Sequence, residues 1–137
     1  MNKRITIAMC MVFFFLNGCA NNSVEQIQAD YIDIAYGDSL YEGKDKVEKS
    51  VVQSVVAAYN ELEYAEQTSE DIDYSKAITL TFIHQDKISG ILVMDDKGVF
   101  QTKHGIEKKG MDIRYIHSGN DIHEQALKIY ETVQKQY

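Results

Sequence analysis

The 137-residue chain has no proline and no tryptophan, and it holds only two cysteines, Cys10 and Cys19. Beyond residue 19 there is no thiol at all. That excludes a disulfide framework, a redox centre and a Cys-ligated metal from the rest of the chain. Basic residues are scarce too: 14 Lys and Arg face 21 Asp and Glu, a net charge of −7. Lys3 and Arg4 precede Cys19, so from Cys19 onward 12 basic residues face the same 21 acidic ones, a net −9. Such a chain is a poor nucleic-acid binder, because neutralising phosphates needs Lys and Arg. It also gains nothing electrostatically from anionic lipids. Signatures of catalysis are missing as well. No G-x-S-x-G occurs, no glycine-rich phosphate loop, and no dinucleotide fingerprint. These absences argue against an enzyme and imply no cofactor.

What is present begins at the N-terminus. A short basic head, Asn2-Lys3-Arg4, leads into an apolar run over residues 5–16. Twelve residues are too few for a bilayer core that needs about 20, and the arrangement is that of a secretory signal peptide. The run ends in Leu16-Asn17-Gly18-Cys19, and the chain then turns polar with Ala20-Asn21-Asn22-Ser23. Leu16, Gly18 and Cys19 resemble the lipobox of bacterial lipoproteins; Asn17 stands where that family usually has Ala, Ser or Thr. The resemblance implies that Cys19 is diacylated on sulfur and that the chain is cut just before it. Two acyl chains anchor stably where one binds marginally. The expected organisation is a signal peptide over 1–18, a lipidated Cys19 with a short polar tether to 25, and one domain over 26–137. The expected location is the extracytoplasmic face of the cell membrane. The whole is similar to small uncharacterised lipoproteins of the Gram-positive type, a likeness specific only in the lipobox.

Downstream, residues 26–36 alternate and predict a strand ended by Gly37-Asp38-Ser39. Residues 45–63 predict a helix. Asp45 and Glu48 are spaced as a capping box, and no Gly or Pro interrupts the period. Val47, Val51, Val55, Ala58 and Leu62 form its stripe, broadened by Val52, Val56 and Tyr59. An acidic linker over 66–73 follows. Residues 77–85 predict an amphipathic strand, with Ile78, Leu80 and Phe82 on one face and Thr79, Thr81 and Ile83 on the other. Asp86-Lys87 predicts a turn, and 88–94 and 99–103 two more strands around the hairpin Asp95-Asp96-Lys97-Gly98. Residues 111–117 predict a further strand. A last helix is expected over 121–136, with Ile122, Ala126, Ile129, Tyr130 and Val133 on one stripe. The expected fold is α+β: an antiparallel sheet of about four or five strands with two helices on one face.

Candidate sites are weak by comparison. His123-Glu124 opens like H-E-x-x-H, but Leu127 stands where the second zinc ligand belongs. His117 and His123 flank a strand-to-helix turn and, with Asp121 and with His84 if the sheet brings it close, have the residue types of a metal site; His104 is the fourth histidine. Histidines at element ends are the simpler reading, and no metal is assigned. The candidate interaction patch is acidic: Glu61, Glu63, Glu66, Glu70, Asp71 and Asp73, flanked by Tyr64 and Tyr74. Carboxylates near a helix C-terminus oppose its dipole, and tyrosine anchors interfaces well, so the patch suits a basic or protein partner. A solvated charged face is the plainer account. The function expected is a binding or interaction module for an envelope protein or peptide, held to the membrane through Cys19. The alternatives are a small-molecule or sensory domain with a pocket between helix 45–63 and the sheet, and an envelope enzyme.

Overall fold

The computed structural model describes residues 23–41, 43–103, 113–118 and 122–134. Among these, seven strands and two helices follow in the order β1 (Tyr31–Tyr36), β2 (Ser39–Tyr41), α1 (Lys49–Asn60), β3 (Gln67–Thr68), β4 (Ile78–His84), β5 (Lys87–Met94), β6 (Val99–Lys103), β7 (Arg114–Ile116) and α2 (Ile122–Gln134). All strands join one antiparallel sheet, ordered β2-β1-β4-β5-β6-β7-β3. The fold is therefore α+β as expected, with more strands than the expected four or five. The extra ones are β2 and β3, three and two residues long. Strands so short carry no alternation to read; pairing defines them.

One face of the sheet carries both helices. Ile32 and Ile34 of β1, Leu80 and Phe82 of β4, Leu92 of β5 and Phe100 of β6 alternate onto it, and each is at most 2% exposed. Val52, Val55, Val56 and Tyr59 descend from α1, and Ile122, Ala126, Tyr130 and Val133 from α2. The Tyr59 and Phe82 rings meet at 5.0 Å, and those of Tyr36 and Tyr130 at 5.6 Å. Val55 and Leu62 of the expected stripe are fully buried, and Val52, Val56 and Tyr59, which broaden it, are buried with them. Val51 and Ala58 are half-buried at its flank.

Helix α1 is shorter than the expected 45–63. Asp45 adopts φ +62°, a left-handed conformation outside any helix. It closes a turn in which the Lys46 and Val47 amides donate to the Gly43 carbonyl, and Glu48 takes the N-cap position with no side-chain cap bond. The expected strand 26–36 begins at Tyr31 instead. Residues 23–30 run along α1, and their backbone pairs with helix side chains. Asn60 donates to the Ile27 carbonyl at 3.1 Å and accepts from the Ile27 amide at 2.9 Å, and Gln53 donates to the Ala29 carbonyl at 3.0 Å. The packed body extends upstream of residue 26 as well. Ser23 is bridged to Glu63, the Val24 amide donates to the Leu62 carbonyl, and Val24 is 2% exposed.

The β4–β5 turn lies one residue before the expected Asp86-Lys87. Gln85 and Asp86 have φ of +51° and +60°, the geometry of a type I′ hairpin, which Asn-Gly fits best. Converting the pair by Gln85→Asn with Asp86→Gly is expected to raise stability by about 1 kcal/mol. The check is a higher urea midpoint with an unchanged m-value; an unchanged midpoint would contradict it.

Candidate functional site

The acidic candidates lie on one long connection between α1 and β4. From the end of α1 it passes Glu61 and Glu63 and reaches the far edge of the sheet. There the Glu66 backbone carbonyl accepts the Ile116 amide at 2.8 Å, and β3 pairs with β7. Thr68 then caps the Glu70 amide. Asp71 meets Arg114 at 3.3 Å, while the same guanidinium donates to the Ser69 carbonyl at 3.2 Å. Asp71 is 91% exposed, so that pair contributes little. Ile72 turns inward and packs with Ala77 and Val99 in a small second core, on the face away from the helices. Asp73 spends its carboxylate on Ser75, accepting from its amide at 3.1 Å and its hydroxyl at 2.6 Å. The acidic residues are therefore strung along an edge rather than gathered in a cleft. The edge strand itself, Gln67–Thr68, carries no charge; the carboxylates flank it in the connection.

The two candidate tyrosines part company. Tyr74 is exposed. Tyr64 is half-buried with its ring against Phe100 and Tyr115, and its hydroxyl hydrogen-bonds the Thr102 hydroxyl. Tyr59 also reaches the Thr102 side chain, and burial raises the phenol pKa of both Tyr59 and Tyr64. They are neutral at any physiological pH and serve as polar pins of the core.

The histidines do not converge. His84 faces Asp30 with its Nδ1 at 3.2 Å, His123 Nε2 lies 2.9 Å from the Lys76 carbonyl, and His117 sits edge-on to Phe100. His104 and Asp121 lie outside the described residues. Among the described residues no group of three or more His, Cys, Asp or Glu is placed to hold a metal.

Asp30 and Asp73 are both held below the ordinary carboxylate value of 3.8. For Asp30 the main cause is the Gln85 amide, which donates at 2.7 Å, with His84 adding to it. For Asp73 it is the Ser75 hydroxyl. A lowered folded-state pKa contributes stability that is complete above the unfolded value and disappears as pH falls through the folded one. Stability is thus expected to hold from neutrality to about pH 5 and to drop below about pH 4. Asp30→Asn with Asp73→Asn should flatten that acid limb. An equally steep loss in the double variant, followed by thermal unfolding against pH, would contradict the assignment.

Among the described residues, three surfaces offer room for a partner, one of them a hollow of about 320 Å³ beside Asp30, Tyr31 and Lys49. Between α1 and α2, on the outer side, two adjoining hollows of about 310 and 270 Å³ share Val51, Lys128 and Ile129. The space between α1 and the sheet, where a pocket is the alternative expectation, is filled by Val52, Val55 and Tyr59. The third surface is the part of the sheet face away from the helices that residues 69–77 leave uncovered; at its margin Val93 packs against Ile72, Ala77 and Val99. Across it the register aligns Asp33, Thr81, Ile91 and Lys103 in one row and Ala35, Thr79, Val93 and Gln101 in the next. Tyr31, Ile83 and Ile88 form a third row, in which Ile88 is 50% exposed. The alternation of residues 77–85 marks Thr79, Thr81 and Ile83 as a second face. Its partners on β1, β5 and β6 emerge only from the register.

Among the described residues no helix is long and apolar enough to cross a membrane. No family model, no curated protein and no solved structure matches the chain.

Proposed function

We propose that the chain is a lipoprotein, held on the extracytoplasmic face of the cell membrane by acyl chains on Cys19, whose domain binds a protein or peptide of the envelope. The observation that carries this reading is Leu16-Asn17-Gly18-Cys19 behind a basic head and a 12-residue apolar run. Docking of the chain from Ser23 onward adds to it. Only Ala20, Asn21 and Asn22 separate Cys19 from Ser23, a reach of about 13 Å at full extension. A domain tied so closely meets partners at the membrane surface. Its acidic edge and its open sheet face are both surfaces that suit a polypeptide, and its negative charge disfavours nucleic acid. A small-molecule role would use the hollows between α1 and α2, whose volume is at the lower limit for ligand sites. No cofactor and no catalytic residue enters the reading. Cys19→Ala is expected to abolish incorporation of labelled fatty acid and to move the protein from the membrane fraction to the soluble one. Full membrane retention with undiminished labelling would overturn the anchor.

A further inference from the structure

The open sheet face has the makings of a self-complementary surface. Its middle row runs from a carboxylate on β1, through Thr81 and Ile91 on the central strands, to an ammonium on β6. Asp33 has one oxygen engaged, accepting the Gly43 amide at 2.9 Å. The flanking rows are apolar or hydroxylic at their centres, with Ile83 beside Ile88 and Thr79 beside Val93; Ile83 is buried within the chain and Val93 already packs against Ile72, Ala77 and Val99, so the middle row is the accessible part of the face. Sheets that pack face to face sit about 10 Å apart with strands nearly aligned. A closed pair of identical chains requires a two-fold axis lying between the two sheets.

The charges choose between the two axes available. A two-fold parallel to the strands, between β4 and β5, places β1 over the partner's β6 and β4 over the partner's β5 at the same height. Asp33 then faces the partner's Lys103, and Thr81 faces the partner's Ile91. A two-fold across the strands would instead bring Asp33 over the partner's Asp33, a repulsive arrangement. We propose that this face is a homodimer interface, formed about a two-fold axis parallel to the strands and keyed by Asp33 against the partner's Lys103. The patch is four strands wide and about five residues long, a plane of roughly 300 Å². It belongs with small, weak interfaces, so pairing depends on local concentration. The strand-parallel axis also leaves both copies of Ser23 at one height, as two chains tied to one membrane would need; the pairing itself requires only the fold.

The test uses the full-length protein purified in detergent at about 100 μM, a concentration suited to a weak pair. A photoreactive residue replaces Gln101, which the proposed axis sets against the partner's Ala35. The same residue at Ser54, on α1, is the control. Two differently tagged copies are mixed and irradiated. The expected result is a tag-to-tag adduct from position 101, mapping to β1 of the second copy, with none from position 54. Lys103→Asp should lower the adduct at least tenfold, and Lys103→Asp with Asp33→Lys should restore it. Because Asp33 also holds the Gly43 amide, Thr81→Arg gives an independent route: at least a tenfold loss of adduct at an unchanged unfolding midpoint. No adduct from position 101, equal adducts from both positions, or an adduct that survives both Lys103→Asp and Thr81→Arg would overturn the proposal.

Discussion

Asp95→Ala is expected to destabilise the protein by about 3 kcal/mol, among the largest effects of any single polar substitution in this fold. Asp95 is 1% exposed. Its carboxylate accepts three backbone amides at 3.0 Å each, from Asp73, Lys97 and Val99. Hydrogen bonds to a charged acceptor are the stronger class, and a buried donor left without a partner costs about 1–3 kcal/mol. Two of the three donors belong to the β5–β6 hairpin. The third belongs to the 69–77 segment, so Asp95 clamps the acidic connection to the sheet. Asp95→Asn keeps the oxygen that could serve two of the amides and should cost roughly half as much. The checks are the urea midpoint and hydrogen exchange at the amides of Asp73, Lys97 and Val99. Unchanged protection of all three would contradict the clamp.

Gly43→Ala is the second large effect, expected to cost about 2–4 kcal/mol. A Cβ at this position would stand 1.8 Å from the Ile32 carbonyl oxygen. The obstacle is backbone of the adjacent strand, so no side-chain rotation relieves it. The substitution must push apart β1 and the chain leaving β2, where the Gly43 amide donates to Asp33. The turn leading to α1, built on the Gly43 carbonyl, moves with it. A melting temperature lowered by several degrees is the expected reading; one within a degree of the parent would contradict the close approach. Gly98 meets a similar constraint, with φ +86° and a virtual Cβ 2.2 Å from the His117 carbonyl oxygen.

These two residues mark where sequence reasoning reaches its limit. Gly98 is legible because a hairpin between two alternating runs needs a residue at positive φ. Gly43 follows no such pattern, since its constraint comes from Ile32 on a neighbouring strand. Asp95 reads as an ordinary turn former. Its role as a clamp depends on Asp73, distant in sequence, and on a loop path that local pattern does not encode. The same division runs through the fold. Strands β4, β5 and β6 and helix α2 follow from period alone; the expected face of β4, Ile78, Leu80 and Phe82, is buried, as is Ile83 on the other side, and the α2 stripe is buried at Ile122, Ala126, Tyr130 and Val133. The start of α1 is misplaced because Asp45 and Glu48 imitate a capping box, whereas Asp45 adopts a left-handed turn. Residues 26–29 alternate like a strand because Ile27 and Ala29 are indeed buried; the backbone of Ile27 and Ala29 pairs with the side chains of Asn60 and Gln53 instead of with a strand. The acidic residues are conspicuous in sequence, and most of them line an exposed edge. The open sheet face is inconspicuous, because its residues come from four strands and share a row only through register.

Cys19 is the centre of the proposed function, since an anchor there would set where the domain works and how close its partners lie. The most direct measurement is the intact mass of the protein extracted with detergent from the cells that make it. The predicted species starts at Cys19, spans residues 19–137, and is heavier than that polypeptide by a diacylglyceryl group carried on the Cys19 sulfur. A species that retains residues 1–18, or one that begins elsewhere with an unmodified Cys19, would contradict it.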